Sequence, residues 1–191
     1  VIIETIVTTI NADGSLNVAP MGPHLESDFT RFELRPYDTS STYVNLCRTR
    51  CGVLHVTEDT LLIARAAIGK LDTHAIETVP AQLIQGSIIV DSASWHEFKV
   101  DDVEDSGSRA VIQCRSLRSG TGKSWMGFNR GKHAIVEAAI LATRVSIMPV
   151  EEIAEQLERL AIIVKKTGGP QEREAFELLR GYVETFSAFP S

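Results

Sequence analysis

Cysteine is scarce in this chain: Cys47, Cys51 and Cys114 are the only three in 191 residues. A sparse, odd-numbered set does not make a disulfide framework and suits a reducing cytoplasm, where the chain is expected. Cys47 and Cys51 stand four apart, close enough to share a helix face, with His55 as the one further metal-binding type nearby. Two more ligands would be needed for a metal, so buried free thiols are the favoured reading. His24, His55, His74, His96 and His133 show neither His-x-x-x-His nor His-Glu-x-x-His spacing, which argues against a zinc enzyme. No apolar run approaches the roughly 20 residues that span a bilayer, and no signal-peptide pattern is visible. Basic blocks are missing too. Lys and Arg number 19 against 25 Asp and Glu, a net charge of −6, which fits nucleic acid poorly. A Gly-x-Ser-x-Gly elbow and a Gly-x-Gly-x-x-Gly fingerprint are both lacking, which disfavours an α/β-hydrolase and a dedicated nicotinamide domain.

What is present is an ordinary globular composition, 43% hydrophobic and 23% charged. A chain of this size buries roughly 70% of its unfolded surface, enough for a core without staples. It opens on two β-type runs, Ile3–Ile10 and Ser15–Pro20, flanking an Asn11-Ala12-Asp13-Gly14 turn. The second run ends in Pro20-Met21-Gly22-Pro23, which cannot continue a central strand. A hairpin whose far end is held open in this way can offer backbone N–H and C=O groups to a flat polar ligand. Further short strands are expected at 31–35, 52–57, 83–91, 94–101 and 109–117, a spacing that suggests a barrel or sandwich. Two short helices are expected between them. One covers about 40–50, and the other covers 59–68 behind Asp59 as a good N-cap.

From Asn129 onward the pattern is helical. The stretch 131–146 is Ala-rich. Pro149, Glu151 and Glu152 then open a helix that closes with Lys165, Lys166 and Gly168-Gly169. Ile153, Leu157, Leu160 and Val164 recur at helical spacing on it. A last helix starts at Pro170 and aligns Phe176, Leu179, Val183 and Phe186. Three helices on short loops imply an antiparallel bundle. The expected division is therefore a β domain over 1–117 and a helical extension over 118–191.

Three segments could carry chemistry. In Arg35-Pro36-Tyr37-Asp38-Thr39-Ser40-Ser41-Thr42, hydroxyls crowd a helix N-terminus behind an arginine. Free N–H groups and the helix dipole favour an anion such as a phosphate monoester there, with a charged fork from Arg35. The same residues also make a plain Ser/Thr cap, which composition alone favours. The segment Arg118-Ser119-Gly120-Thr121-Gly122-Lys123-Ser124 ends like a P-loop, but Leu117 stands where that motif needs its first glycine. A flexible loop is expected instead. In Gly127-Phe128-Asn129-Arg130-Gly131-Lys132, Asn129 can cap the helix, whereas Arg130 and Lys132 oppose its dipole. A bound anion or simple exposure would each account for them.

Taken in order, these segments resemble the FMN-binding split-barrel superfamily. The matching pieces are Thr5–Thr9 with Asp13-Gly14, then Asn17-Val18-Ala19-Pro20-Met21-Gly22, then Arg35 with Ser40-Ser41-Thr42-Tyr43 and Asn45-Leu46. With Gly127-Phe128-Asn129-Arg130 and the helical extension, the chain is more narrowly similar to a flavoredoxin-like, flavin-reductase-like family. The resemblance implies a six-stranded antiparallel split barrel that dimerises, with one FMN near each side of the interface. Asn17, Val18, Ala19, Pro20 and Met21 would line the isoalloxazine, largely through backbone atoms. Arg35, Ser40, Ser41 and Thr42 would hold the phosphate with Asn45 nearby, and Asn129 and Arg130 would be further contacts. The implied activity is an FMN-dependent oxidoreductase of flavin-reductase or flavoredoxin type, fed by NAD(P)H, a ferredoxin or a deazaflavin. The alternative is a flavin carrier or accessory protein without turnover, since fold does not settle function.

Overall fold

The first hairpin is closed by three residues, Ala12, Asp13 and Gly14. Gly14 has φ +87°, left-handed backbone that glycine adopts without a Cβ penalty. Its N–H donates to Asn11 O at 3.0 Å, and Asn11 N–H donates to Ser15 O at 2.9 Å. A short loop ending in such a glycine matches the twist of the strands it joins. The computed structural model describes residues 1–104, 107 and 109–187. The end of the expected helical extension, 188–191, lies outside the described residues.

The chain forms two compact units, one of Val1–Thr57 with Asp72–Trp125, the other of Glu58–Leu71 with the chain from Met126 onward. The first is built on β1 (Thr5–Ile10), β2 (Leu16–Met21), β3 (His24–Leu25), β4 (Arg31–Leu34), β5 (Cys51–Val56), β8 (Ser94–Glu104) and β9 (Val111–Thr121). These make one antiparallel seven-stranded sheet in the order β2-β1-β5-β8-β9-β4-β3. The N-terminal residues curl it toward closure. Ile2 bridges His24, Leu25 N–H donates to Val1 O at 2.8 Å, and the Val1 ammonium donates to Leu25 O at 2.8 Å. Six strands were implied by the resemblance; the seventh is the two-residue β3, too short to leave a periodic signal.

Inside the curl, Val7, Phe32, Leu34, Leu46, Leu54, Phe98, Val100 and Ile112 pack into one cluster. Leu46 comes from α1 (Ser41–Thr49), which therefore contributes to the barrel core. The other face of β1 is covered as well, so Thr5 to Thr9 are all buried. A hairpin of β6 (Thr78–Pro80) and β7 (Ser87–Ile89) supplies partners on that side. Thr8 Oγ1 donates to Ser87 O at 2.8 Å, and Ile89 N–H donates to His55 Nε2 at 3.0 Å. The single strand expected over 83–91 is thus only its 87–89 part, paired with 78–80.

Two local expectations are corrected. Cys51 begins β5, so it shares no helix face with Cys47, which is exposed on α1. Arg118 to Thr121 are the end of β9 and not a flexible loop. Arg118 pairs with Glu97 there, and Gly122 N–H donates to Ala93 O at 3.0 Å.

The helical unit comprises α2 (Thr60–Ala67), α3 (Arg130–Ala142), α4 (Val150–Thr167) and α5 (Pro170–Ser187). The three expected C-terminal helices are present, and α2 joins them by packing on α3 and α5. It buries Leu62, Ile63 and Ala64 against a core that includes Ile135, Ala138, Ile153, Leu157, Phe176, Leu179 and Val183. Helix α3 stops at Ala142, short of residue 146, and turns lead to Pro149, whose ring disfavours helical backbone before it. Among the described residues no helix is long and apolar enough to cross a membrane.

Gly131 is where α3 meets the end of α4. A Cβ there would lie 2.8 Å from Gly168 Cα and N, which are backbone atoms. Gly131→Ala should therefore cost about 1–3 kcal/mol by overpacking, despite alanine's better helix propensity. A thermal melt no lower than that of the wild type would show that this contact is not tight.

Candidate cofactor site

Strand β2 lies at the edge of the sheet, and its register fixes where its backbone points. Thr9 faces Asn17, Val7 faces Ala19 and Thr5 faces Met21. The turn bonds between Asn11, Gly14 and Ser15 make these the hydrogen-bonded pairs, because bonded and non-bonded pairs alternate in an antiparallel ladder. Pro20, which has no N–H, then falls on a non-bonded pair with Ile6. Leu16 and Val18 consequently direct their N–H and C=O groups to the free edge, as Pro20 directs its C=O. Among the described residues no partner meets these groups, although all six residues of β2 are half-buried. Strand β2 thus presents a row of backbone donors and acceptors.

Helix α1 supplies the second part. Ser40 is its N-cap, with Oγ accepting from Tyr43 N–H at 3.2 Å and donating to Tyr37 O at 2.7 Å. The cap therefore satisfies the third N–H of the helix and leaves those of Ser41 and Thr42 without an acceptor among the described residues. Two free N–H groups at the positive end of a helix dipole favour an anion. Ser41 is exposed and Thr42 is buried.

The two parts are joined by side chains. Asn17 Nδ2 donates to Thr9 Oγ1 at 3.0 Å and to Thr42 Oγ1 at 3.1 Å. Asn45 Nδ2 donates to Thr9 Oγ1 at 3.0 Å and to Asn11 Oδ1 at 2.8 Å. Asn17 and Asn45, singled out as ligand contacts, thus spend their amide protons on the protein. Thr9, which the sequence did not single out, is the common acceptor. Its only sequence signal was membership of the Thr5–Thr9 piece that carries the resemblance.

Arg35 is exposed and ion-paired through Nε with Glu33 Oε1. Asn129 and Arg130 belong to the helical unit. Asn129 caps α3, its Oδ1 accepting from Lys132 N–H at 3.0 Å and its Nδ2 donating to Thr167 O at 3.1 Å. Lys132 meets Glu58 at 3.2 Å, which offsets its position against the dipole. Arg130 is exposed, with no partner among the described residues. No cluster of three or more His, Cys, Asp or Glu side chains that could hold a metal is found among the described residues.

The curled antiparallel sheet, its open edge strand and the capped helix beside it make a split-barrel fold. The chain belongs to the family described as "Protein of unknown function (DUF447)", whose N-terminal domain matches residues 3–123 and whose second part matches residues 129–181. It is similar to the structure of an FMN-bound protein of that family from Methanosarcina mazei, at 24% identity and a TM-score of 0.82, covering 95% of this chain and 94% of that one. It also resembles flavoredoxin from Methanosarcina acetivorans, at 10% identity and a TM-score of 0.54, over 65% of this chain and 70% of that one. A third likeness is to 2-nitrobenzoate 2-nitroreductase from Pseudomonas fluorescens, at 17% identity and a TM-score of 0.53, over 62% and 64%.

Proposed function

We propose that this protein binds FMN and acts as a flavin-dependent oxidoreductase of flavin-reductase or flavoredoxin type. The observation that carries this reading is the pairing of two sets of unmet backbone groups within one unit. Leu16, Val18 and Pro20 offer edge groups on β2, and Ser41 and Thr42 offer N–H groups at the start of α1. The first set suits the polar edge of a flat ring system and the second suits a phosphate, so the residues present fit the cofactor. The FMN-bound relative from Methanosarcina mazei supports the same choice.

Bound FMN would supply the redox chemistry of its ring. This chain's residues would bind and orient it: β2 along the ring, Ser41 and Thr42 on the phosphate, with Ser40 holding the helix end in shape. Arg35 would add charge to the phosphate and exchange Glu33 for it. Arg35→Ala should then weaken FMN binding by about 1.5–3 kcal/mol, the range for a hydrogen bond to a charged group. An unchanged dissociation constant would remove Arg35 from the site. The protein is taken as a homodimer with an FMN near each side of the interface. A monomer mass by light scattering would end the dimer reading.

The deciding experiment is the absorption spectrum of freshly purified protein, with mass analysis of what heat releases. A two-banded yellow spectrum and the mass of FMN are expected. A colourless protein that takes up no added FMN would overturn the proposal. Anaerobic bleaching of the bound flavin by NAD(P)H, a reduced ferredoxin or a reduced deazaflavin then identifies the electron source. Bleaching by none of these, with no turnover on any acceptor, would leave a carrier or accessory protein.

A further inference from the structure

Thr9, Asn17, Thr42 and Asn45 are linked by one chain of side-chain hydrogen bonds across three elements. Thr9 is on β1, Asn17 on β2, and Thr42 and Asn45 are one turn apart on α1. Both Nδ2 protons of each asparagine are used, at 2.8–3.1 Å, and Thr9 Oγ1 accepts from both amides. Thr9, Thr42 and Asn45 are 1%, 2% and 3% exposed. Polar groups this deep are costly to leave unpaired, so the network has one low-energy arrangement. Asn17 adjoins Val18, whose edge groups are unmet. Thr42 carries one of the two unmet N–H groups of α1. The network therefore ties the position of one set of binding groups to that of the other.

We propose that this network makes the site read ring and phosphate as one ligand, so that selectivity for the phosphorylated flavin exceeds what the phosphate contacts alone provide. The inference rests on the FMN reading above. The network holds β2 and the start of α1 in one register, so a ligand that carries both ring and phosphate meets both sets of groups already placed. A ring without phosphate uses β2 alone and gains nothing from that register. This couples the two parts of one site. Thr9 is a positioning residue here, since it acts through Asn17 and Thr42.

The test is a cycle of two ligands and two proteins, with affinities for FMN and riboflavin measured by quenching of flavin fluorescence. In Thr9→Val the preference for FMN over riboflavin should fall about tenfold, within the range seen for residues sharing a network. Thr9→Ser keeps the hydroxyl and should restore the preference. A folded Thr9→Val whose two affinities change by the same factor would overturn the coupling, because that is what general loosening does. If Thr9→Val does not fold, Asn11→Ala decides. It removes the outer acceptor of Asn45, together with a bond from Asn11 Nδ2 to Ser15 Oγ at the exposed hairpin turn, and should lower the preference in the same direction, and an unchanged preference there would overturn the coupling too. Wild-type protein that binds no FMN would remove the flavin reading and this inference together. Wild-type protein that binds FMN while the variants keep its preference would remove this inference alone.

Discussion

Glu97→Ala should lower the unfolding free energy of the barrel unit by about 3 kcal/mol, the scale for breaking a buried charged pair by removing one partner. Glu97 is fully shielded from solvent. Its carboxylate accepts from Gln82 N–H at 3.1 Å, Leu83 N–H at 2.7 Å and Arg118 Nη1 at 3.0 Å. Burial pushes its pKa up, but the two backbone donors and Arg118 outweigh burial and hold the carboxyl below the usual glutamate range. Its deletion therefore strands two N–H groups of the 81–86 segment and one guanidinium. Arg118 also lies over the Trp95 ring, 4.7 Å from its centroid, so the loss spreads to the face where Trp95 covers Gly120. Glu97→Gln keeps an acceptor for the backbone and should cost less. Urea unfolding at neutral pH checks both, and a Glu97→Ala midpoint equal to wild type would mean that the 81–86 segment contributes nothing to stability.

Stability should also fall by about 3 kcal/mol between neutral pH and pH 4 through His55 alone. This ring is fully buried. Burial lowers its pKa from 6.5 to about 4, only partly offset by the Ile6 carbonyl. Its Nε2 accepts from Ile89 N–H at 3.0 Å, which leaves the neutral ring its proton on Nδ1, 3.4 Å from Ile6 O. In the folded state the ring stays neutral down to about pH 4, whereas in the unfolded chain it takes up a proton near pH 6.5. The unfolded state thus binds more protons within that window, so stability is complete above it and drains away as pH falls. His55→Gln, which retains an acceptor for Ile89, should flatten this part of the stability profile. Equal slopes for variant and wild type from pH 7 to 4.5 would show that His55 titrates normally.

The hairpin, the positions of the main strands along the chain and the hydroxyl cap before α1 were legible because each rests on local chemistry. Asp13-Gly14 needs a turn, Pro20 needs an edge, and Ser40 answers a free N–H three residues on. Asn17, Thr42 and Asn45 were expected from the resemblance, but what their side chains do was not legible. The Asn17 and Asn45 amides each donate one proton to Thr9, eight and 36 residues away along the chain. Glu97 was hidden for the same reason, because its partners come from a segment 14 residues earlier and a strand 21 residues later. The β6–β7 pair was blurred because Ile88 and Ile89 are buried among exposed neighbours, so the apolar run around them has no period of two. Helix α2 was found by its cap and its apolar face. Its partners were not, since periodicity shows that a face is apolar and not what covers it.

That helix has a consequence for how the protein can be divided. The chain leaves the barrel after Thr57, contributes α2 to the bundle, and returns at Asp72 to finish the barrel. Neither unit is a continuous stretch of gene. A cut after residue 125 would take three helices away and leave Leu62, Ile63 and Ala64 bare in the middle of the remaining piece. A cut placed to spare the bundle, before Glu58, would part β1 to β5 from β6 to β9. The two units therefore cannot be exchanged as modules by a single recombination, and wherever this architecture is inherited, both halves must travel together.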